Sequence, residues 1–395
     1  MAGEFKVNGV SFATESGGTL TVNNSKVRLP SSGNGIEDSS GNSVLSESGG
    51  NVSLTAKNAT VTGDFVPSNS FMFRNKVING GMQISQRGNS TSISATSYRA
   101  CDRYHFVITS GGTWSISQST DSPGGFGSSY KLECTTAKSS LDSDSRLLII
   151  QKIEGQNLQD LKKGTSSAES VTLSFYVKTS LAGTYQVNLE DNDNTRIIGN
   201  TYTISSSEVN TWQYKTFTFL GDTTGTLDND NMDSLALHFV LVAGTDNSSG
   251  ALPTAWESKS NTDRGAGLTV NLAATVGNTW QITGVQLEIG SSATPFEHRP
   301  VGVETGLCQR YYLDYYASIA TAMLRPDGYR FAEVYFPVHM RATPSPSFTY
   351  NADGTGTTGT VGNIDRLHVY IQSSSATSTA GANPYITNLN LFAEL

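Results

Sequence analysis

The chain is 395 residues long, with 39 glycines, 15% charged residues and a formal net charge of −8. With a pI near 5.2 and Lys and Arg scattered singly, it has no basic stripe to neutralise phosphates, which excludes nucleic acid as an expected partner. No stretch approaches the ~18 consecutive apolar residues of a membrane helix, and Met1-Ala2-Gly3-Glu4-Phe5 lacks the basic and apolar regions of a signal peptide; a soluble chain without membrane insertion or conventional export is expected.

Residues 1–73 contain no Trp or Tyr and consist of short alternating runs, such as Thr19-Leu20-Thr21-Val22, between Gly/Ser/Asn clusters. The string Thr14-Glu15-Ser16-Gly17-Gly18-Thr19-Leu20-Thr21-Val22 is echoed 32 residues later by Ser46-Glu47-Ser48-Gly49-Gly50-Asn51-Val52-Ser53-Leu54, which predicts two copies of a β-turn-β unit. Strands this thin cannot bury an apolar face alone, so association between chains is expected.

Residues 74–305 read as a substantial all-β domain. Strands are predicted at 104–108, 114–118, 129–134, 146–151, 171–179, 183–189, 213–220, 235–242, 267–272 and 280–289, a spacing that fits a two-sheet sandwich of jelly-roll type. Residues 153–163 carry apolar side chains three to five apart and predict a helical turn capping the sandwich. Thr294-Pro295-Phe296-Glu297-His298-Arg299-Pro300 reads as an extended exit linker bracketed by prolines. Beyond it, 304–316 begins either as a helix or as an aromatic strand. Runs at 329–338, 347–350, 367–372 and 387–394 predict a smaller C-terminal β-sandwich over 306–395.

Several strings resemble a family of bacteriophage tail-fibre and virion-appendage proteins. Asn79-Gly80-Gly81-Met82-Gln83-Ile84-Ser85-Gln86-Arg87-Gly88 and Cys101-Asp102-Arg103-Tyr104 open the sandwich as they do there. Ile282-Thr283-Gly284-Val285-Gln286-Leu287-Glu288-Ile289-Gly290, Ala293-Thr294-Pro295-Phe296-Glu297-His298-Arg299-Pro300 and Cys308-Gln309-Arg310-Tyr311-Tyr312 close it in the same order. Val334-Tyr335-Phe336-Pro337-Val338-His339-Met340-Arg341-Ala342-Thr343-Pro344 is similar to the start of the C-terminal domain of such fibres; a bulkier aromatic is common where Tyr104 stands, and Trp where Ser85 does. The resemblance implies a homotrimer located on the virion and made in the host cytoplasm. Residues 1–73 would attach to phage tail or adaptor proteins, and the C-terminal β-domain would recognise a host surface polysaccharide or receptor.

The search for chemistry yields little that is catalytic. His105, His238, His298, His339 and His368 stand in no HExxH, GxSxG or Cys-His pattern, and Cys101, Cys134 and Cys308 are too far apart for a zinc or disulfide framework, so no enzyme activity and no cofactor are expected. The competing reading is a tailspike-like polysaccharide depolymerase, which needs two carboxylates about 5 to 9.5 Å apart. Its candidate acids are Glu190, Asp191 and Asp193, and Asp228, Asp230 and Asp233; the last three are also a weak calcium candidate, although Asp and Asn commonly serve turns. A purely structural virion adaptor or decoration protein is the third reading. For sugar contact, an exposed aromatic face beside amides and carboxylates is required. Trp256, in the polar loop Ala255-Trp256-Glu257-Ser258-Lys259, is the candidate for exposure, while Trp280 is expected in the core and Trp212 packed at a strand start. Tyr311, Tyr312, Tyr315 and Tyr316 are a further candidate platform, but are expected instead to pack across the joint before the C-terminal domain or around a trimer axis. Tyr350, Asn351 and Asp353 are the candidate contacts of the distal tip.

Overall fold

The computed structural model describes residues 73–315, 329–351, 359–373 and 385–395, strand backbone at 319–320 and 323–324, and the backbone of six short strands between residues 4 and 54. The chain divides into two compact units, Met1–Ser68 and Asn69–Leu395.

In the first unit, β1 (Glu4–Val7), β2 (Val10–Ser16) and β3 (Thr19–Val22) form one antiparallel sheet, and β4 (Gly35–Glu37), β5 (Ser43–Ser48) and β6 (Asn51–Leu54) form another. Ser16 pairs with Thr19 and Ser48 with Asn51, so the two Glu-Ser-Gly-Gly strings lie at the same register of the two sheets. The echo in sequence is a repeated three-stranded unit.

The second unit opens with β7 (Ser90–Ile93), β8 (Ser97–Tyr98), β9 (His105–Thr109), β10 (Thr113–Ser119), β11 (Ser129–Thr136), β12 (Arg146–Glu154), β13 (Val171–Thr179), β14 (Gly183–Asp191), β15 (Arg196–Ile204), β16 (Gln213–Phe219), β17 (Asp233–Ala243), β18 (Glu257–Ser258) and β19 (Thr279–Ile289). One sheet runs β16-β13-β19-β11-β10-β7 and the other β18-β15-β14-β17-β12-β9-β8. The chain passes between sheets after one or two strands each time, the connectivity of a jelly-roll-like sandwich. Alternation turns Trp114, Tyr130, Phe175, Tyr185, Phe239 and Trp280 into the shared core, each at most 1% exposed. Fully burying side chains of this size contributes about 1.5–3 kcal/mol each before conformational entropy is subtracted.

Three local expectations change. Residues 153–163 finish β12 and then make two short 3-10 turns, Gly155–Asn157 and Gln159–Leu161. The strand expected at 267–272 is an irregular segment ending in the turn Leu272–Ala274, because Asn271 uses its side-chain oxygen to cap that turn at the Ala273 N–H (3.0 Å) rather than joining a ladder. A strand not anticipated, β15, contains Gly199; a side chain there would meet Asn188 Oδ1 at 2.4 Å and Pro253 at 3.3 Å, so the glycine admits the neighbouring loop.

The exit linker is held against the start of the sandwich. Arg299 donates to the carbonyls of Val77 and Asn75, and Glu297 accepts from the Asn75 N–H at 3.1 Å. The ambiguity over 304–316 resolves into both alternatives, a helix (α2, Val301–Gln309, the single turn α1 being Thr245–Ser248) followed by β20 (Tyr312–Tyr315). Then come β21 (Ile319–Ala320), β22 (Met323–Leu324), β23 (Arg330–Tyr335), β24 (Ser345–Asn351), β25 (Gly359–Ile364), β26 (His368–Ser373) and β27 (Tyr385–Phe392). One four-stranded sheet runs β20-β27-β21 with β24 on β27, and another runs β22-β23-β26-β25. Leu313, Val334, Met340, Ile371, Ile386 and Leu391 belong to the small core these strands bury.

Polar contacts join this core region to the sandwich. Arg310 pairs with buried Glu154 through both nitrogens (2.9 and 2.7 Å), Tyr311 donates its hydroxyl to Glu154 (2.5 Å), and Arg341 donates to the Asn231 carbonyl (2.9 Å). Glu394 receives Arg87 and Arg103. The tyrosines therefore do pack across the joint: Tyr311 and Tyr312 are buried, with Arg103 3.5 Å over the first ring and Arg87 3.6 Å over the second. Tyr315 is half-buried, and Tyr316 lies outside the described residues. Cys101, Cys134 and Cys308 are free and buried, as expected. Among the described residues no helix is long and apolar enough to cross a membrane.

Candidate functional site

Two adjacent strands of the C-terminal sheet place their aromatic residues on the side away from the core. On β23, Ala332 and Val334 point inward, which sends Phe331, Glu333 and Tyr335 outward; on β26, Val369 and Ile371 point inward and His368, Tyr370 and Gln372 outward. The register sets Phe331 opposite Gln372, Glu333 opposite Tyr370 and Tyr335 opposite His368. Tyr335 is 67% exposed and its ring stacks on His368 with centroids 5.7 Å apart; Phe331 and Tyr370 lie 5.1 Å apart.

The neighbouring strand completes the face. A side chain at Gly362 would lie 2.5 Å from Tyr370, so the glycine lets that ring rest on the backbone of β25. Glu333, Gly362, Asn363, His368, Tyr370 and Gln372 line an open depression of about 450 Å³. Asp365 Oδ2 is 3.0 Å from His368 Nδ1, and Glu333 Oε1 is 3.5 Å from His368 Nε2. The backbone N–H groups of Leu367 and His368 hold the Asp365 carboxyl below its ordinary range, while the Glu333 charge raises the Tyr335 hydroxyl. Flat apolar rings beside carboxylates and amides are equipped to stack on the C–H faces of a pyranose and to pair its hydroxyls.

Of the residues expected at a site, Trp256 is half-buried rather than free. It packs on the edge of the main core, donates its indole N–H to the Leu220 carbonyl (2.8 Å) and lies 5.2 Å from Lys163 Nζ. Tyr350 is half-buried on β24 against the small core, and Asn351 donates to Thr387 Oγ1 (3.1 Å). Asp353 lies outside the described residues. Trp280 is in the core, and Trp212 is half-buried at the start of β16, where it donates to Asp121 (3.1 Å).

The acidic runs are used structurally. Asp230 Oδ1 accepts from the Met232 N–H (2.8 Å) and Asp233 pairs with Lys152 (3.1 Å), and among the described residues no three His, Cys, Asp or Glu side chains gather to hold a metal, so the calcium candidate Asp228, Asp230 and Asp233 is not assembled. Glu190 is buried between Arg264 (2.7 Å), Lys259 (3.3 Å) and His238 (3.3 Å). Burial opposes its charge, but the surrounding positive groups outweigh burial and hold the carboxyl at about 2. Asp191 is buried against Lys163 at 2.5 Å. Glu190, held in this way, has no proton to offer a glycosidic oxygen near neutral pH.

The outward face of β23 and β26 was missed in the sequence because its aromatics alternate with Val and Ile. The period of two was visible, but not which phase faces the core.

The chain matches no protein-family profile and no curated protein. Among solved structures it is similar over 55% of its length to the enzymatically active domain of bacteriophage CBA120 tailspike protein 4, at 13% identity and a TM-score of 0.31, spanning 21% of that chain. It is also similar to the family 11 carbohydrate-binding module from Clostridium thermocellum in complex with a mixed-linked tetrasaccharide (12% identity, TM-score 0.27, 52% of this chain and 99% of that one). A xylan-binding domain from Paenibacillus barcinonensis gives 10% identity, a TM-score of 0.25 and coverage of 52% and 99%. At these scores the likeness is too slight to carry a function.

Proposed function

We propose that the chain is a non-enzymatic fibre or appendage of a bacteriophage virion, which binds a host cell-surface polysaccharide through the open face of β23, β26 and β25. The observation that carries this reading is the pairing of the exposed Tyr335 ring with His368 beside Glu333, Tyr370 and Asn363 on a sheet whose other side is core. The resemblance of residues 74–316 and 334–344 to phage fibres supports the virion context. The repeated thin sheets of residues 4–54 suit attachment to the tail and edge-to-edge association in a homotrimer.

Adsorption of the purified chain to host cells measures the proposal directly. Tyr335→Ala and Tyr370→Ala are each expected to weaken adsorption about fivefold, since stacking on an aromatic contributes on the order of 1 kcal/mol per ring. Unchanged adsorption by both variants would remove the face from the binding role. Light scattering tests the assembly, and a 42.1 kDa species at micromolar concentration would exclude the trimer. Release of reducing sugar from the host polysaccharide would instead favour a depolymerase.

A further inference from the structure

A second aromatic surface lies on the sandwich, on the outer side of the six-stranded sheet. Leu173, Phe175 and Val177 face the core from β13, so Tyr176 faces outward; its partner across the ladder is Tyr214 of β16, 47% exposed. Their rings are 5.0 Å apart. Phe126 follows at 5.6 Å from Tyr176, then Phe296 at 5.0 Å and His298 at 5.3 Å from Phe126. The result is one strip of rings drawn from four separate segments of chain.

Local backbone geometry maintains the strip. Gly284 has φ +63°, and a side chain there would lie 2.7 Å from the Phe126 ring and 3.1 Å from Tyr176. A glycine at a bulged position of β19 thus lets both rings seat on the sheet.

The charges beside the strip are already matched within the protein. Lys178 Nζ pairs with Asp121 at 2.8 Å, and Asp121 also accepts from Trp212 (3.1 Å) and Gln281 (3.3 Å). Lys215 donates to the Thr203 carbonyl (3.0 Å). With these cations engaged, a polyanion gains little here. Thr216 shares the outward face of β16 with Tyr214 and offers a hydroxyl rather than apolar area, and Thr218 there spends its hydroxyl on the Ser291 carbonyl, which leaves little apolar surface for a protein partner. We propose that this strip is a second binding site, for a neutral polysaccharide chain whose successive pyranose rings stack along Tyr214, Tyr176 and Phe126. It is separate in sequence and sheet from the C-terminal face and does not depend on that reading.

Native gel electrophoresis of the full chain in gels containing laminarin, hydroxyethyl cellulose, yeast mannan, dextran or polygalacturonate tests the proposal. At least one of the four neutral polymers is expected to retard the wild type. Tyr214→Ala and Tyr176→Ala should each weaken that retardation at least about fivefold in apparent affinity, and Tyr214→Phe should preserve it. Because Tyr214 is exposed, its variants report on binding with the fold intact, which unchanged thermal melting would verify. No retardation by any neutral polymer, retardation by polygalacturonate alone, or retardation indifferent to the Ala variants would each overturn it. Failure at Tyr335 and Tyr370 in the adsorption assay leaves this result untouched, so the two readings fail separately.

Discussion

Arg103 lies over the ring of Tyr311, its guanidinium carbon 3.5 Å from the centroid, while the same guanidinium pairs with Glu394. The arginine is 1% exposed and the carboxylate 10%, and burial, which disfavours the arginine charge, is more than offset by Glu394. Removing one member of such a pair strands a charge away from water. Glu394→Ala is therefore expected to lower unfolding free energy by roughly 3–5 kcal/mol in urea melts. The double variant with Arg103→Met should recover part of that loss, Arg87 still lacking the carboxylate; no recovery at all would mean that the pair is not the source.

Lys163 carries a similar prediction. It is buried against Asp191 (2.5 Å) and Asp222 (3.0 Å), and donates to the carbonyls of Thr224 and Gly225 at 3.0 Å each. Lys163→Met leaves two buried carboxylates facing each other with only Arg196 beside Asp222. A loss of roughly 3 kcal/mol or more is expected in chemical denaturation, whereas a loss under about 1 kcal/mol would mean that water reaches the site.

His238 sets a pH dependence. Burial drives its pKa down to about 4, helped by Arg264 and Lys259 and only partly opposed by Glu190 and Asp233. The unfolded chain binds this proton near pH 6.5, so protonation favours unfolding. Stability is complete above about pH 6.5 and falls as pH drops towards 4, by about 1.4 kcal/mol per pH unit for this group. His105, lowered to about 4 by burial and by Lys152, adds in the same window. Glu190, depressed to about 2, has the opposite placement: its contribution is lost only below about pH 4.5. His238→Gln should reduce the slope between pH 6.5 and 4, leaving the share of His105, and should also weaken the dependence below about pH 4.5, because His238 is one of the groups that depress Glu190.

Gly284→Ala is expected to cost about 1–3 kcal/mol, since it combines a left-handed backbone with a contact 2.7 Å from Phe126. Thermal melting reads the cost, and tyrosine fluorescence reads displacement of Tyr176. A stability change below about 0.5 kcal/mol would show that Phe126 moves aside freely.

Much of the fold is legible in the sequence. The limits of β13 agree residue for residue, and β10, β11, β12, β14, β16, β17 and β19 differ only at their ends, because long alternating apolar runs bounded by turns have few other solutions. β15 and β25 were hidden by Gly199 and Gly362, residues that weaken a strand signal yet are needed where Pro253 and Tyr370 come close. The sites were harder to read. Loop position made Trp256 and Tyr350 seem exposed, but both close the edge of a core, while the exposed rings of Tyr335 and Tyr214 sit on strands.

The pairing of Arg103 with Glu394 joins residues 291 positions apart, and Arg87 reaches the same carboxylate across 307. At synthesis rates of about 5–20 residues per second, the arginine waits roughly 15–60 s for its partner. During that interval Arg103 has the Lys152 carbonyl and then the Tyr311 ring beside it, but no carboxylate. Because Glu394 follows β27 (Tyr385–Phe392), the contacts it makes with Arg87 and Arg103 form only once that strand has been made.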